Sequence, residues 1–496
     1  MYYLGIDGGT ESVRAAIFDA AGALVGSASA AYSTQFPQPA WAEQSPDEWW
    51  ERFGEATRAA LADADVDPSS VAGVCVDTTN CTVVALDEGG EALRPALLWM
   101  DVRSGEEAAQ VAACGGPELV VNGGGAGPVS AEWMLPKALW LKRHEPDVFA
   151  RARYVCEYQD YVMFRMTGRM CASRNNVTVR WHYAESRGWP VGLLRKLGLE
   201  ELVDKFPSEV LPVGALVGGV SEPAARHLGL AAGTPVVQGG IDAHTGILGL
   251  GVCRDGEMAM LTGSSHLHLG LSSAPLHGKG MFGSYEEALI PGLHIVEGGQ
   301  TSTGSVVAWC ARLLGGASYE ELDSEVEGIA PGAEGLVALD HFQGCRTPYT
   351  DSLSRGALVG LTLRHTRAHV FRAVMESVCY GTRQVLETMA RNGYRPRSIR
   401  AAGGPTKSAL WMQMHADVLG LPIVLTRVAD APALGAAVIA AVGTGRFPDF
   451  RSAIEAMVHV KKTYSPDAAR HEQYSSPYKT YKELYPALAP IYHRRA

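Results

Sequence analysis

The sequence predicts an α/β chain of two domains facing each other across a cleft, the second repeating the plan of the first. Its 496 residues exceed what one hydrophobic core usually organises. A glycine-rich turn between two strand-like segments occurs twice, at Asp7-Gly8-Gly9-Thr10 and at Leu261-Thr262-Gly263-Ser264-Ser265, and each is followed by further strands and helices. Two loops of this kind suit two half-sites that share one ligand.

Composition narrows the classes of function. Apolar residues make up 47% and charged residues 19%, a globular balance with material for two cores. The net charge of −10 favours neither a nucleic acid nor an anionic membrane, so a bound phosphate must be held by local dipoles. Nine cysteines without a C-x-x-C pair give neither a disulfide framework nor a zinc pattern. The chain opens in a strand with no apolar leader, and its most apolar small-residue run, Ala431 to Val442, is too short to cross a bilayer. A cytoplasmic protein is expected.

Taken in order, Leu4 and Ile6 alternate before the first turn and Ala15, Ile17 and Phe18 follow it, which predicts a hairpin. Asp19 to Gly22 turns into a third strand. Ser45-Pro46-Asp47-Glu48 starts a helix, with Ser45 as N-cap and Pro46 in the first turn. Val71 to Asp77 is a continuous apolar run of strand length, suited to a central strand buried on both faces. Its polar end, Asp77-Thr78-Thr79-Asn80, is a binding loop or a plain polar turn. Leu97 to Arg103 reads as another strand, Glu132 to Lys137 as a helix start, and residues 190–212 as a mixed helical connector. Thr234 to Asp242 predicts a strand ending at Gly-Gly-Ile-Asp, with Asp242 at its tip.

From Met258 the pattern begins again. Glu297-Gly298-Gly299-Gln300-Thr301 is expected to form a glycine-rich turn before a helix carrying Val306, Val307 and Leu313. A long helix is expected from Thr366 through Glu387. Ile399 to Gly404 predicts a strand and tight turn before a helix from Ser408 to Leu419, a junction that serves either a flat ligand or close packing.

Glycines in the two turns let backbone N–H groups approach an anion, Thr10 and Ser12 add hydroxyls, and Asp7 adds a carboxylate able to hold magnesium through water. Together with Asp242 these features suit ATP-dependent phosphoryl transfer to a hydroxyl. No G-x-x-x-x-G-K-[ST] sequence is present, which excludes the P-loop solution.

These residues resemble the FGGY family of carbohydrate kinases over nearly the whole chain. Gly356-Ala357-Leu358-Val359-Gly360-Leu361, followed by His369 to Glu376, is similar to the family's C-terminal signature. Lys137-Ala138-Leu139-Trp140-Leu141 keeps part of the N-terminal one, with Glu132 and Met134 as departures. Ser130-Ala131-Glu132-Trp133, Ile241-Asp242-Ala243-His244, Glu297-Gly298-Gly299-Gln300, Ala431 to Ala436 and the acidic Glu11 are similar to the ribulokinase branch.

The resemblance implies the two-domain actin-like ATPase fold, ribonuclease H-like in each half, with a sugar-binding domain over 1–246 and a nucleotide-binding domain with a helical tail over 247–496. It implies a kinase that moves the γ-phosphoryl group of ATP to a hydroxyl of a ketopentose, ribulose or xylulose, with Mg2+ as cofactor. A kinase for erythritol or glycerol, or a non-catalytic sugar- or nucleotide-binding regulator, is the alternative. Asp242 would be the base and Asp7 the water-mediated magnesium ligand. Thr10, Ser12, Arg14, Gly263, Ser264, Gly304, Gly404, Lys407 and Ser408 would border the nucleotide, and Asn80, Trp99, Glu132 and Glu297, with Asp242, the sugar. The partners implied are the sugar and ATP, with no nucleic acid or membrane and with a possible homodimer.

Overall fold

A computed structural model describes residues 1–122 and 129–494. Its strands gather into two principal sheets. The first contains β1 (Tyr2–Gly8), β2 (Ser12–Asp19), β3 (Leu24–Ala31), β4 (Val71–Thr78), β5 (Leu216–Gly219) and β6 (Pro235–Val237) in the spatial order β5-β6-β4-β1-β2-β3. The second contains β7 (Met258–Thr262), β8 (His266–Ser272), β9 (Gly283–Glu286), β10 (His294–Gln300), β11 (Ile399–Gly403), β12 (Ile423–Thr426) and β13 (Val460–Tyr464) in the order β9-β10-β8-β7-β11-β12-β13.

The two sheets repeat one topology. From β3 inward the pairings run antiparallel, antiparallel, parallel, parallel and antiparallel, through β2, β1, β4 and β6 to β5. From β10 inward they run identically through β8, β7, β11 and β12 to β13. Only β9 is extra, added antiparallel to β10. Hence β1 corresponds to β7 and β4 to β11, and both glycine-rich turns join the equivalent pair of strands.

Local chemistry explains the main elements. Helix α1 (Pro46–Ala64) starts where Ser45 Oγ accepts the Glu48 N–H, with Trp49, Trp50 and Phe53 on its buried face. Helix α2 (Met134–His144) has Pro136 in its first turn. Helices α5 (Arg367–Arg391) and α6 (Ala409–Leu419) back the second sheet, and α4 (Gly304–Leu313) packs on α5, with α5 beginning at a Thr366–His369 capping pair and α6 at Ser408.

Between the sheets lie α3 (Asp242–Gly249), which follows β6, and α7 (Ala431–Gly443), which follows β12. Each packs on the sheet of the other half, α7 against β1 and β4 and α3 against β7 and β8. α7 is almost wholly apolar and buried, as an element enclosed on every side must be, while α3 buries Ile247 and Leu248 together with His244 and Thr245. They touch backbone to backbone: a Cβ on Gly435 would lie 2.0 Å from the Thr245 carbonyl oxygen, and one on Gly249 would lie 1.9 Å from that of Ala431.

Three sequence expectations are corrected. The strand expected over Leu97 to Arg103 is only Ala96–Leu97, because Asp101 takes the Ala42 N–H at 2.7 Å and the Arg103 guanidinium folds back onto Asp101, which turns the chain. Glu297 to Gln300 is not a turn but the end of β10, where a Cβ on Gly299 would come within 3.0 Å of the His266 carbonyl oxygen of β8. Asp242 is not the tip of a strand: β6 stops at Val237, and Asp242 is the first residue of α3. Among the described residues no helix is long and apolar enough to cross a membrane.

Candidate active site

The repeated topology decides what meets in the cleft. The carboxyl ends of β1, β7 and β11 and the N-termini of α3 and α7 converge on one cavity of about 390 Å³, lined among others by Asp7, Arg14, Asp242, Thr262, Gly263 and Asp430. Four of the residues singled out from sequence, Asp7, Arg14, Asp242 and Gly263, therefore share a single space.

The two hairpins are built alike. In the first, the Gly9 N–H donates to the Ser12 carbonyl at 3.0 Å, and the turn is braced by Tyr32, whose hydroxyl donates to the Gly9 carbonyl, and by Gln44, which donates to that of Thr10 at 2.7 Å. In the second, the Gly263 N–H donates to the Ser265 carbonyl at 2.9 Å. The start of α4 braces this turn, with N–H groups of Thr303 and Gly304 donating to the carbonyls of Ser264 and Gly263 at 2.9 and 3.1 Å. Among the described residues the N–H groups of Thr10, Glu11, Ser264 and Ser265 have no hydrogen-bond acceptor. Unpaired N–H groups at a turn mouth are what an anionic oxygen needs.

Carboxylates crowd the same place. Asp7 and Asp77 are register partners across the parallel pair β1 and β4, so their side chains leave the same face of the sheet. Asp77 is fully buried, and among the described residues neither of its oxygens finds a donor, nor does Asp7 Oδ1. Burial raises both carboxyls above their ordinary values, and the facing carboxylates of Asp242 and Asp430 push the same way. Asp430, the N-cap of α7, spans the cleft to Arg14 at 2.6 Å, so the guanidinium expected on phosphate is engaged by a carboxylate. Without a cation both carboxyls favour the protonated form, and their buried oxygens without donors fit a divalent cation held near Asp7 and Asp77, which would stabilise the ionised form. Among the described residues no three such side chains converge on one ion, which is compatible with a contact through water.

Asp242 is raised to about 6 by burial, offset in part by the Ala243 N–H, which donates to its Oδ1 at 2.6 Å. Its other oxygen receives no donor among the described residues, and at neutral pH the group is mostly ionised.

Beyond Gly263 the nucleotide-side candidates spread out. Gly304 opens α4, tied to Gly263. Ser264 is exposed beside it, and Ser12 is the partly exposed first residue of β2. Gly404 and Lys407 bound a short 3-10 turn past β11, and Ser408 caps α6 while its hydroxyl donates to Asp323 at 2.7 Å. The neighbouring Gly403 is the demanding position: its φ is +119°, a Cβ there would lie 1.7 Å from the Thr262 carbonyl oxygen, and it lines the cavity.

The sugar-side candidates Asn80, Trp99, Glu132 and Glu297 are not among the residues that line this cavity; the Trp99 indole N–H donates to Thr10 Oγ1 at 3.0 Å, which ties its loop to the first hairpin. Trp99 is 38% exposed and is not core. Asn80 Oδ1 accepts the Cys81 N–H at 2.7 Å, and Glu132 is partly exposed, with Ser130 Oγ 3.3 Å away. Glu297 is buried, hydrogen-bonded by Tyr285 and 3.5 Å from Arg180, whose guanidinium lies 4.9 Å from the ring centre of Trp133, next to Glu132.

Asp430 and Arg180 carry no assignment from sequence, and Asp77 and Gly403 are read there only as part of a candidate binding loop and of a glycine junction, without a role of their own. Asp77 and Gly403 had a local signal as polar or glycine ends of apolar strands. Asp430 and Arg180 acquire their partners only through tertiary packing.

Comparison with known proteins bears directly on this cleft. The sequence profile of the FGGY family of carbohydrate kinases, N-terminal domain, matches residues 2–249, and that of the C-terminal domain matches 258–444. A ribulokinase of Geobacillus thermodenitrificans is 32% identical, covering 98% of this chain and 94% of the relative. An FGGY carbohydrate kinase domain-containing protein of Xenopus laevis is 31% identical, covering 98% and 96%. The crystal structure of xylulose kinase from Rhodospirillum rubrum superposes with a TM-score of 0.89 at 29% identity, covering 99% of this chain and all of that one.

Proposed function

The chain belongs to the FGGY family of carbohydrate kinases, phosphotransferases with a sugar hydroxyl as acceptor, and from that premise we propose that it phosphorylates a ketopentose at the expense of ATP, ribulose ahead of xylulose. The observation that carries this reading is the cleft itself, where two hairpins with unpaired N–H groups face a partly exposed, ionisable Asp242. Phosphates of ATP bridge the hairpins, and the sugar lies on the side of Asn80, Trp99, Glu132 and Glu297. The sugar hydroxyl attacks the γ-phosphorus as the bond to the β-phosphate oxygen breaks. Its proton passes to the free oxygen of Asp242, the other oxygen being fixed by Ala243. Asp7 and Asp77 would hold magnesium, which when bound neutralises charge on the phosphates. Residues 1–246 and 247–496 form the sugar and nucleotide halves in this reading, with α3 as their junction.

Relatives named ribulokinase and xylulose kinase support the pentulose, the latter including one of Staphylococcus epidermidis at 27% identity. Glu132 and the remaining oxygen of Glu297 supply acceptors at both ends of a polyhydroxylated chain. A shorter polyol leaves one of them unpaired, so glycerol should lose roughly 10-fold or more in kcat/KM per missing contact. Steady-state ADP release with ribulose, xylulose, erythritol and glycerol tests this. Preference for glycerol over both pentuloses contradicts the assignment.

A further inference from the structure

Lys137 lies in α2 and is fully buried, and among the described residues no carboxylate forms an ion pair with it. A buried ammonium without a counter-ion is costly, and an apolar side chain would fill the same space. What the ammonium does is donate to two backbone carbonyls, Cys81 at 2.8 Å and Leu98. These belong to separate loops, one after β4 and one after the short strand Ala96–Leu97. Each carbonyl adjoins a residue of the proposed sugar wall: Cys81 follows Asn80, and Leu98 precedes Trp99. Glu132, the third, leads into the helix that carries Lys137 itself.

The loops need such a tie. Cys81 has a φ of +63°, a conformation that residues with a Cβ rarely adopt, and its N–H is held by the Asn80 side chain. Trp99 is exposed and anchored by a single indole hydrogen bond to Thr10. Burial pulls the ammonium down to about 8, which leaves it charged and donating at neutral pH.

We infer that Lys137 is the positioning residue of the sugar wall, a clamp that holds Asn80, Trp99 and Glu132 in register and thereby sets sugar affinity without touching the nucleotide. This rests on the kinase reading above. The test is steady-state kinetics of Lys137→Met, which keeps the stem and removes the donors, beside Lys137→Gln, which keeps two N–H donors.

The expected result is a rise in sugar KM of roughly 10-fold or more for Lys137→Met, with partial recovery in Lys137→Gln and the ATP KM within about twofold of the parent. Unchanged sugar KM in folded Lys137→Met overturns the inference, as does a parallel rise of both KM values. If Lys137→Met does not fold, Lys137→Gln is read by the same criteria, and failure of both to fold assigns Lys137 to the fold and overturns the inference. A parent chain that phosphorylates no sugar sinks the kinase reading instead, whereas an active parent with an indifferent variant sinks this inference alone.

Discussion

Asp242 owes its reactivity to where α3 begins. Enclosure raises its carboxyl from 3.8 to about 6, so the ionised base forms as pH rises through 6. The pH profile of kcat/KM is therefore expected to fall on the acid side with an apparent pKa near 6. Asp242→Asn should erase that limb from whatever activity is left, and a limb unchanged in the variant would assign it to another group. The same shift has a sign for stability. A carboxyl raised on folding contributes stability that is complete below 3.8 and lost as pH rises through 6, so at neutral pH the charged Asp242 opposes folding. Asp7, Asp242 and Gly263 were legible in the sequence because carboxylates and glycines in turns carry their own chemistry. The burial of Lys137, the pairing of Asp77 with Asp7 and the bond of Asp430 to Arg14 were not, because enclosure, register and a partner 416 positions away define them.

At the scale of elements, the cleft depends on how closely α3 and α7 approach. Their contact leaves no room for a side chain at Gly435, since the obstructing atom is the Thr245 carbonyl of α3 and cannot rotate away. Gly435→Ala should cost roughly 1–3 kcal/mol or more, seen as a lower Tm and weakened activity together. Gly105→Ala, where a Cβ meets nothing within 4 Å, is the control and should be neutral. An unaltered Tm in Gly435→Ala would show that the helices can separate at little cost.

Elements with strong local signals were readable: both hairpins, the capped α1, the long α5 and the buried β4. The failures have physical causes. Residues 97–103 are apolar enough for a strand, but Asp101 and Arg103 close a turn through hydrogen bonds that no local pattern reveals. The glycines of Glu297 to Gln300 look like a turn yet serve close packing between β8 and β10.

Over the whole molecule, one topology used twice puts two hairpins and two helix N-termini around one cavity, and a pair of closely packed helices joins the halves. Duplication was legible in the return of the strand, glycine turn and helix succession, while the reciprocal packing of α3 and α7 on each other's sheets was not. Phosphate loops from separate halves grip one ATP firmly only if the cleft narrows. Small-angle scattering should show a smaller radius of gyration with pentulose and a non-hydrolysable ATP analogue together than without ligands, and an unchanged radius would argue for a rigid cleft.

The most direct measurement follows the phosphoryl group itself. Purified parent chain and Asp242→Asn are incubated with ribulose, magnesium and ATP labelled in the γ-phosphate, with sugar binding measured in parallel. The parent should move label into the sugar phosphate, and Asp242→Asn should do so at least ~10²-fold more slowly while still binding sugar. Near-parental transfer by Asp242→Asn, or a parent that binds ATP and ribulose yet transfers no label, would contradict a phosphoryl-transfer cleft with Asp242 as its base.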